Sequence, residues 1–343
     1  MKKAVSQNKH YVISESESRR IDMIKALSIF SVICAHCNAV PQTSSAWNVT
    51  VHYFLNAIGT IGVGVFFAVS GYLLAKQPVI SFSAFMVKKA RRLVPAWIIL
   101  GTMVYLYVAV RKWGVTPLGW LGFLLGRGSY LYFVPVLFCL YAAGYIVRYL
   151  KITGGGYSKI VNLCMMAVSV MSNIMTYTGF FSETYAAANP CNWYVYFGIG
   201  MILADEVFQM PGWVYILCSI AASVVMIWVS FRHRWLNYWT PGFVLFELAA
   251  GISVNGTAKA LLHAAGSSRL CGIGKQTLFL YLAHMPVAGI TANLCGRIDS
   301  WALTLLRPFL VLAVTWTGML VYCNVIKRLH LSSIFMKSLG IQE

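Results

Sequence analysis

Arg20-Ile21-Asp22-Met23-Ile24-Lys25-Ala26-Leu27-Ser28-Ile29-Phe30-Ser31-Val32-Ile33-Cys34-Ala35-His36 is an apolar run interrupted by Asp22, Lys25 and His36. Such a run is suited to cross hydrocarbon as a helix, and ionisable groups are expensive inside a lipid-spanning segment, so these three mark a site. Lys25 and His36 are eleven residues apart. On a helix that is about 1100°, three turns and roughly 20° more, which places both side chains on one face with about 16 Å of rise between them. One face of the first helix therefore carries a cation near one membrane surface and an imidazole deep inside.

The rest of the chain has the same character. Of 343 residues, 59% are hydrophobic and only 10% charged, a composition that a soluble domain of this size does not have. Apolar stretches at 22–40, 53–75, 93–110, 131–147, 159–177, 193–209, 212–230, 238–254, 273–294 and 304–326 predict about ten transmembrane helices. The runs are too long for barrel strands and lack their alternation, so the fold class is all-α and polytopic. Residues 1–19, with Lys2, Lys3 and Ser14-Glu15-Ser16-Glu17-Ser18, read as a polar cytoplasmic tail, 20–330 as a single membrane-embedded domain, and 331–343 as a second cytoplasmic tail. The first run is not a cleaved signal, because Asp22 and Lys25 break it and nine further spans follow.

Lys and Arg set the orientation. With the N-terminus inside, the cytoplasmic loops hold groups such as Lys88-Lys89-Ala90-Arg91-Arg92, Arg148, Lys151, Lys159, Lys327 and Arg328, while the outer loops hold far fewer, among them Arg232, Arg297 and Arg307. This bias puts both termini in the cytoplasm and accounts for most of the +18 net charge without nucleic acid as a partner. The nine cysteines, mostly within spans, read as small apolar residues. No metal site is expected: Cys34-x-x-Cys37 has no second pair at ligand spacing. A disulfide between Cys37 and Cys191, both on the outer side, is left open.

Four constellations carry chemistry. They are Asp22-x-x-Lys25 with His36, Phe66-Phe67-Ala68-Val69-Ser70-Gly71-Tyr72, Lys89-Ala90-Arg91-Arg92 ahead of Pro95, and Thr277-Leu278-Phe279-Leu280-Tyr281-Leu282-Ala283-His284. Pro95 suits the first turn of its helix. At these residues nearly the whole chain resembles the acyltransferase-3 family of bacterial multi-span membrane enzymes, which transfer acyl groups, usually acetyl from acetyl-CoA, to surface sugars. Lys25 with His36 matches that family's first-helix pattern, and Phe66-Phe67-x-x-Ser70-Gly71 its second-helix signature. Lys89-x-x-Arg92 stands where the family has Arg-x-x-Arg, keeping the charge but losing one bidentate anion contact. Thr277, Tyr281 and His284 follow a late Ser-x-x-x-Tyr-x-x-His pattern, and Tyr132-Phe133 a Trp-Phe pattern.

The resemblance implies an O-acyltransferase of the bacterial inner membrane. Its donor would be acyl-CoA, most simply acetyl-CoA, with no permanently bound cofactor, and its acceptor a lipid-linked sugar or surface polysaccharide. A sugar hydroxyl is protonated at neutral pH, so transfer needs a base, and His36 is the first candidate. His284, counted from the same membrane face, reaches a similar depth, so the two imidazoles are expected to face one cavity. Lys25, Lys89, Arg91 and Arg92 would form a cationic rim for the donor's phosphates, with Ser70 near the donor. Asp22, Glu247, Tyr281, Tyr132 and Trp193 are the candidate acceptor contacts. Glu247, in mid-span, is expected to be protonated or paired with His284. Tyr53, Tyr194, Tyr196, Trp235, Tyr238 and Trp239 would line access from outside.

Each residue also has a structural reading. Interfacial Trp and Tyr anchor spans, Lys25 can snorkel, Ser70-Gly71 can be close helix packing, and Asp22 can cap the first helix or pair with a nearby arginine. P-loop, dinucleotide, HExxH and nucleophile-elbow patterns are absent. The alternative class is a carrier or flippase for a lipid-linked saccharide, which should show internal repeats. The two halves of this chain show no self-similarity.

Overall fold

The computed structural model describes residues 13–37, 39–41, 44–78, 80–112, 114–153, 157–205, 210–240, 242–264, 266–329 and 334–341. The first twelve residues of the expected N-terminal tail, with Lys2 and Lys3, lie outside them, as do 331–333 and 342–343 of the C-terminal one. Among the described residues there is no strand, and the fold is all-α.

The helices are α1 (Glu15–His36), α2 (Ala46–Lys76), α3 (Phe82–Lys112), α4 (Pro117–Leu124), α5 (Phe133–Ile152), α6 (Ser158–Tyr177), α7 (Glu183–Ala186), α8 (Tyr194–Asp205), α9 (Gly212–Phe231), α10 (Phe243–Leu261), α11 (Ser267–Lys275), α12 (Thr277–Cys295), α13 (Trp301–Arg328) and α14 (Ile334–Ser338). Short 3-10 turns at Tyr130–Tyr132 and Pro190–Asn192 precede α5 and α8. Every expected span falls on a helix, and among the described residues seven helices are long and apolar enough to cross a membrane. The chain is a polytopic membrane protein.

Several boundaries differ for physical reasons. α1 begins at Glu15, inside the segment expected as tail, because Ser14 caps it by accepting from the Glu17 amide and Glu17 sits at the third helical position, a capping-box pattern. Asp22 is therefore not the cap. Pro95 lies well inside α3 rather than in its first turn, since the polar segment from Phe82 onward is already helical. The ninth span is two helices, α11 and α12, separated at Gln276.

α1 and α2 form the centre of the bundle. α1 packs on α2, α10, α11, α12 and α13, and α2 on α5, α8, α9, α10 and α13 as well. Small residues allow this approach. A side chain at Gly71 would strike the Phe197 carbonyl on α8, and one at Gly274 would strike the Asp22 backbone on α1. α9, in contrast, turns Ile216, Leu217, Ile220, Val224 and Ile227 outward, an exposed apolar face that suits lipid.

Candidate active site

α11 and α12 run alongside α1 from a shared end. There Cys271 Sγ donates to the Arg19 carbonyl and Arg19 Nη2 donates to Ser267 Oγ at 3.2 Å. At the other end α12 carries His284 to the last residue of α1, and the His36 and His284 rings lie 5.2 Å apart between centroids. The equal depth expected from counting along both helices is what the packing produces.

His284 is fully buried. Its Nδ1 lies 3.1 Å from the Leu280 carbonyl and 2.8 Å from that of Tyr281. Carbonyls only accept, so Nδ1 is assigned the proton and Nε2 the lone pair. Nε2 has no hydrogen-bond partner. His36 is half-buried at the helix end.

A third ring, not expected from the sequence, closes the group. Tyr130 lies 5.4 Å from His284 and 6.1 Å from His36 between centroids. Pro286 explains how it is held. Proline has no N–H, so the Leu282 carbonyl four residues earlier loses its helical donor, and the Tyr130 hydroxyl donates to it instead at 2.6 Å. In return the Tyr281 hydroxyl donates to the Tyr130 carbonyl. No spacing within residues 128–133 signals this role, because it depends on a proline in a distant helix.

Around these rings stands an aromatic wall. Phe133 packs on Tyr281 and stacks on Phe67, and Tyr132 stacks on Trp193 at 5.9 Å. Trp193 in turn meets Tyr238 and Trp239. Tyr132, Tyr238 and Tyr281 are close enough for their phenols to interact electrostatically.

Glu247 does not pair with His284. It projects from α10 against the α2 backbone at Gly64, where any side chain would collide with the carboxyl group, and lies near Tyr196 and Tyr238. It is buried, and both its oxygens lack a hydrogen-bond partner. This placement is not legible in the chain because the true neighbour of Glu247 is the missing side chain of a glycine.

Of the expected cationic rim, the structure gathers part. The Lys89 ammonium sits over the Tyr141 ring at 4.4 Å and the Phe85 ring at 5.3 Å, the Tyr141 hydroxyl meets Ser70, and Arg92 is near both Tyr141 and Lys89. Arg91 and Arg92 are exposed. Lys25 is engaged elsewhere, its Nζ 2.6 Å from Asp22 Oδ1 one turn back on α1. That ion pair replaces the arginine partner expected for Asp22.

Arg307 is a second residue missed in the sequence. It is 1% exposed at the far end of α1, where Nη2 donates to the Ala39 carbonyl and to Thr304 Oγ1, while Nε and Nη1 have no partner. Cys37 and Cys191 are both free, so no disulfide joins them.

An acyltransferase-domain profile matches residues 18–323. The chain belongs to the acyltransferase-3 family. It is a membrane acyltransferase acting on hydroxyl groups, and the match takes in the two histidines, Lys25, Ser70, Lys89 and the aromatic wall. No curated protein and no solved structure matches this member of the family.

Proposed function

We propose that this acyltransferase moves an acyl group, acetyl in the first instance, from acyl-CoA at the cytoplasmic face of a bacterial inner membrane to a hydroxyl of a lipid-linked sugar or surface polysaccharide. The observation that carries the reading is the pair of imidazoles 5.2 Å apart, one of them held in a single tautomer by two carbonyls. His36 is the base. It takes the acceptor hydroxyl proton as that oxygen attacks the thioester carbonyl carbon, the carbon–sulfur bond breaks with its electrons on sulfur, and the proton passes from His36 to the thiolate. His284 is a positioning residue whose Nε2 lone pair favours the imidazolium formed on His36.

Lys89, Arg91 and Arg92, with Ser70 at Tyr141, supply charge for the donor's phosphates, and Lys25 does so on exchanging Asp22 for a phosphate. α1 is continuous from Lys25 to His36, which preserves the rise of about 16 Å that a donor entering from one side and reacting in the membrane must span. Tyr132, Trp193 and Tyr281 offer flat faces to a sugar, and Glu247 a buried hydrogen-bonding group.

Inside-out vesicles given labelled acetyl-CoA test this reading. Label should enter glycan with the wild type and with Ile216→Ala on the lipid face, and be lost with His36→Ala. Undiminished labelling by His36→Ala, or glycan crossing the membrane without any donor, would refute it.

A further inference from the structure

The second half of α9, the first half of α10 and the loop between them enclose a groove of about 380 Å³ on the side of the bundle. Phe243 and Phe246, both buried, form its floor, and the small side chains of Ala221, Ala222 and Ala249 leave it wide. Among the described lining residues no side chain is charged. Leu245 and Trp228 at its edges are 72% and 54% exposed, so the groove opens sideways toward lipid.

Exposed apolar side chains are what any lipid-facing helix carries. A concavity of this size is not. Its lining gives water no partners, so in a bilayer it is filled by a hydrocarbon chain. A chain gains nothing by leaving lipid for an equally apolar wall, and what retains it is close packing together with the contacts of its head group. Arg232 and Arg234 provide such contacts. They follow the last residue of α9, Arg232 one turn beyond Trp228 of the groove, and both are exposed, with no ion pair to either among the described residues. His233 between them lies with Nε2 3.1 Å from Thr50 Oγ1 and stacks on Tyr53 near the start of α2. The arginines therefore stand at the end of the bundle where α1 finishes with His36 and α2 begins. Inward, Phe243 packs on Tyr238 at 5.2 Å and Tyr238 on Trp193 at 5.1 Å, so the floor of the groove adjoins the aromatic wall of the histidine site.

We propose that the groove seats the hydrocarbon chain of a lipid-linked sugar phosphate, with the phosphate at Arg232 and Arg234 and the saccharide along Tyr238 and Trp193. This rests on the acyl-transfer reading above and narrows its acceptor to the lipid-linked form. A diacyl phospholipid could fill the groove, but it has no sugar to set against the wall.

Native mass spectrometry of the full chain in neutral detergent, titrated with glucose joined through a phosphate to a phytanyl chain, tests the site without any acyl donor. Ala221→Trp, which fills the groove from an exposed position, should weaken binding about 10-fold, while Val224→Trp, one turn along α9 and outside the groove, should leave it near wild type. Arg232→Gln with Arg234→Gln should weaken it about 30-fold. His36→Ala should bind as the wild type does, so a failure of the transfer chemistry and a failure of this site are read separately. In vesicles given labelled acetyl-CoA, Ala221→Trp should cut the label entering the solvent-extractable lipid fraction. Absence of binding to the wild type, equal losses from the two tryptophan variants, unchanged binding by the arginine variant, displacement of the probe by equimolar phosphatidylglycerol, or full labelling by Ala221→Trp would each overturn the proposal.

Discussion

Tyr130→Phe removes one hydroxyl, and Pro286 sets the cost of losing it. The Leu282 carbonyl has no helical donor because residue 286 has no N–H, and Leu282 is fully buried, so loss of the 2.6 Å bond from Tyr130 leaves an acceptor with no replacement. A hydrogen bond inside a membrane bundle is worth about 0.6 kcal/mol on average and up to about 1.7, and an orphaned buried carbonyl costs about 1–3 kcal/mol. The expected loss is therefore about 2 kcal/mol. In a Pro286→Ala background the restored amide can reach Leu282, and the same Tyr130→Phe change should cost only about 0.5 kcal/mol, the residue of lost packing and polarity. The coupling between the two sites is then about 1.5 kcal/mol, measurable by equilibrium unfolding of the four proteins in mixed detergent and SDS. Equal costs in both backgrounds would show that Tyr130 is not the substitute donor, and with it would go the account of how the third ring is held beside the histidines.

Removal of both imidazoles should be no worse than removal of one. His36→Ala is expected to lower transfer by about 10²–10⁴-fold and the double variant with His284→Ala to add little, whereas multiplying losses in single-turnover assays would mean independent roles. Gly71→Ala places a methyl group against the Phe197 carbonyl and should destabilise by about 1–3 kcal/mol, with Gly71→Val failing to yield folded protein on size exclusion; unchanged melting of Gly71→Ala would contradict the α2–α8 contact. Asp299, in the loop before α13, accepts from Asn48 Nδ2 and the Ser45 amide, both at 2.8 Å, and these bonds hold its carboxyl below the ordinary carboxylate value. A depressed carboxyl stabilises the fold above the unfolded value, near 4, and loses that contribution as pH falls through the folded one. Asp299→Asn should thus melt earlier at neutral pH and match the wild type in strong acid; a deficit independent of pH would count against it. Cys191 is exposed and free in the turn before α8, and the Lys and Arg bias predicts that it faces the outside. An impermeant maleimide should label it on intact cells, and labelling only after permeabilisation would invert the topology.

Much of the bundle is legible in the chain because lipid-facing helices are long and uniformly apolar. α6, α9 and α13 lie within a few residues of their expected bounds. The failures sit where a boundary depends on a neighbour. α11 ends and α12 begins at Gln276 while Gly274 lies pressed on the Asp22 backbone, a contact between segments some 250 residues apart that periodicity does not report. In the site, His36 and His284 can be brought together by counting from one membrane face. Tyr130 cannot, because its partner carbonyl is free only through a missing N–H in α12. Lys25 and Asp22 are one helical turn apart, a spacing at which an ion pair competes with the capping and arginine-pairing roles that the chain also offers Asp22. The competition is decided by Ser14, which takes the cap and leaves Asp22 inside the helix.

α1 is absent from the seven helices that pass by length and apolarity, although it lies at the centre of the bundle and carries His36. The reason lies in its surroundings. A helix that touches lipid must be apolar around that side, while one surrounded by α2, α10, α11, α12 and α13 can keep Asp22, Lys25, Ser28 and Ser31 because protein rather than hydrocarbon faces them. Ser28 donates to the Ile24 carbonyl at 2.8 Å and Ser31 to the Ile58 carbonyl on α2 at 2.6 Å, so the hydroxyls have partners as they must in a dry interior. Low hydropathy in a helix flanked by apolar ones is therefore a mark of the interior. Here it selects the helix that carries His36.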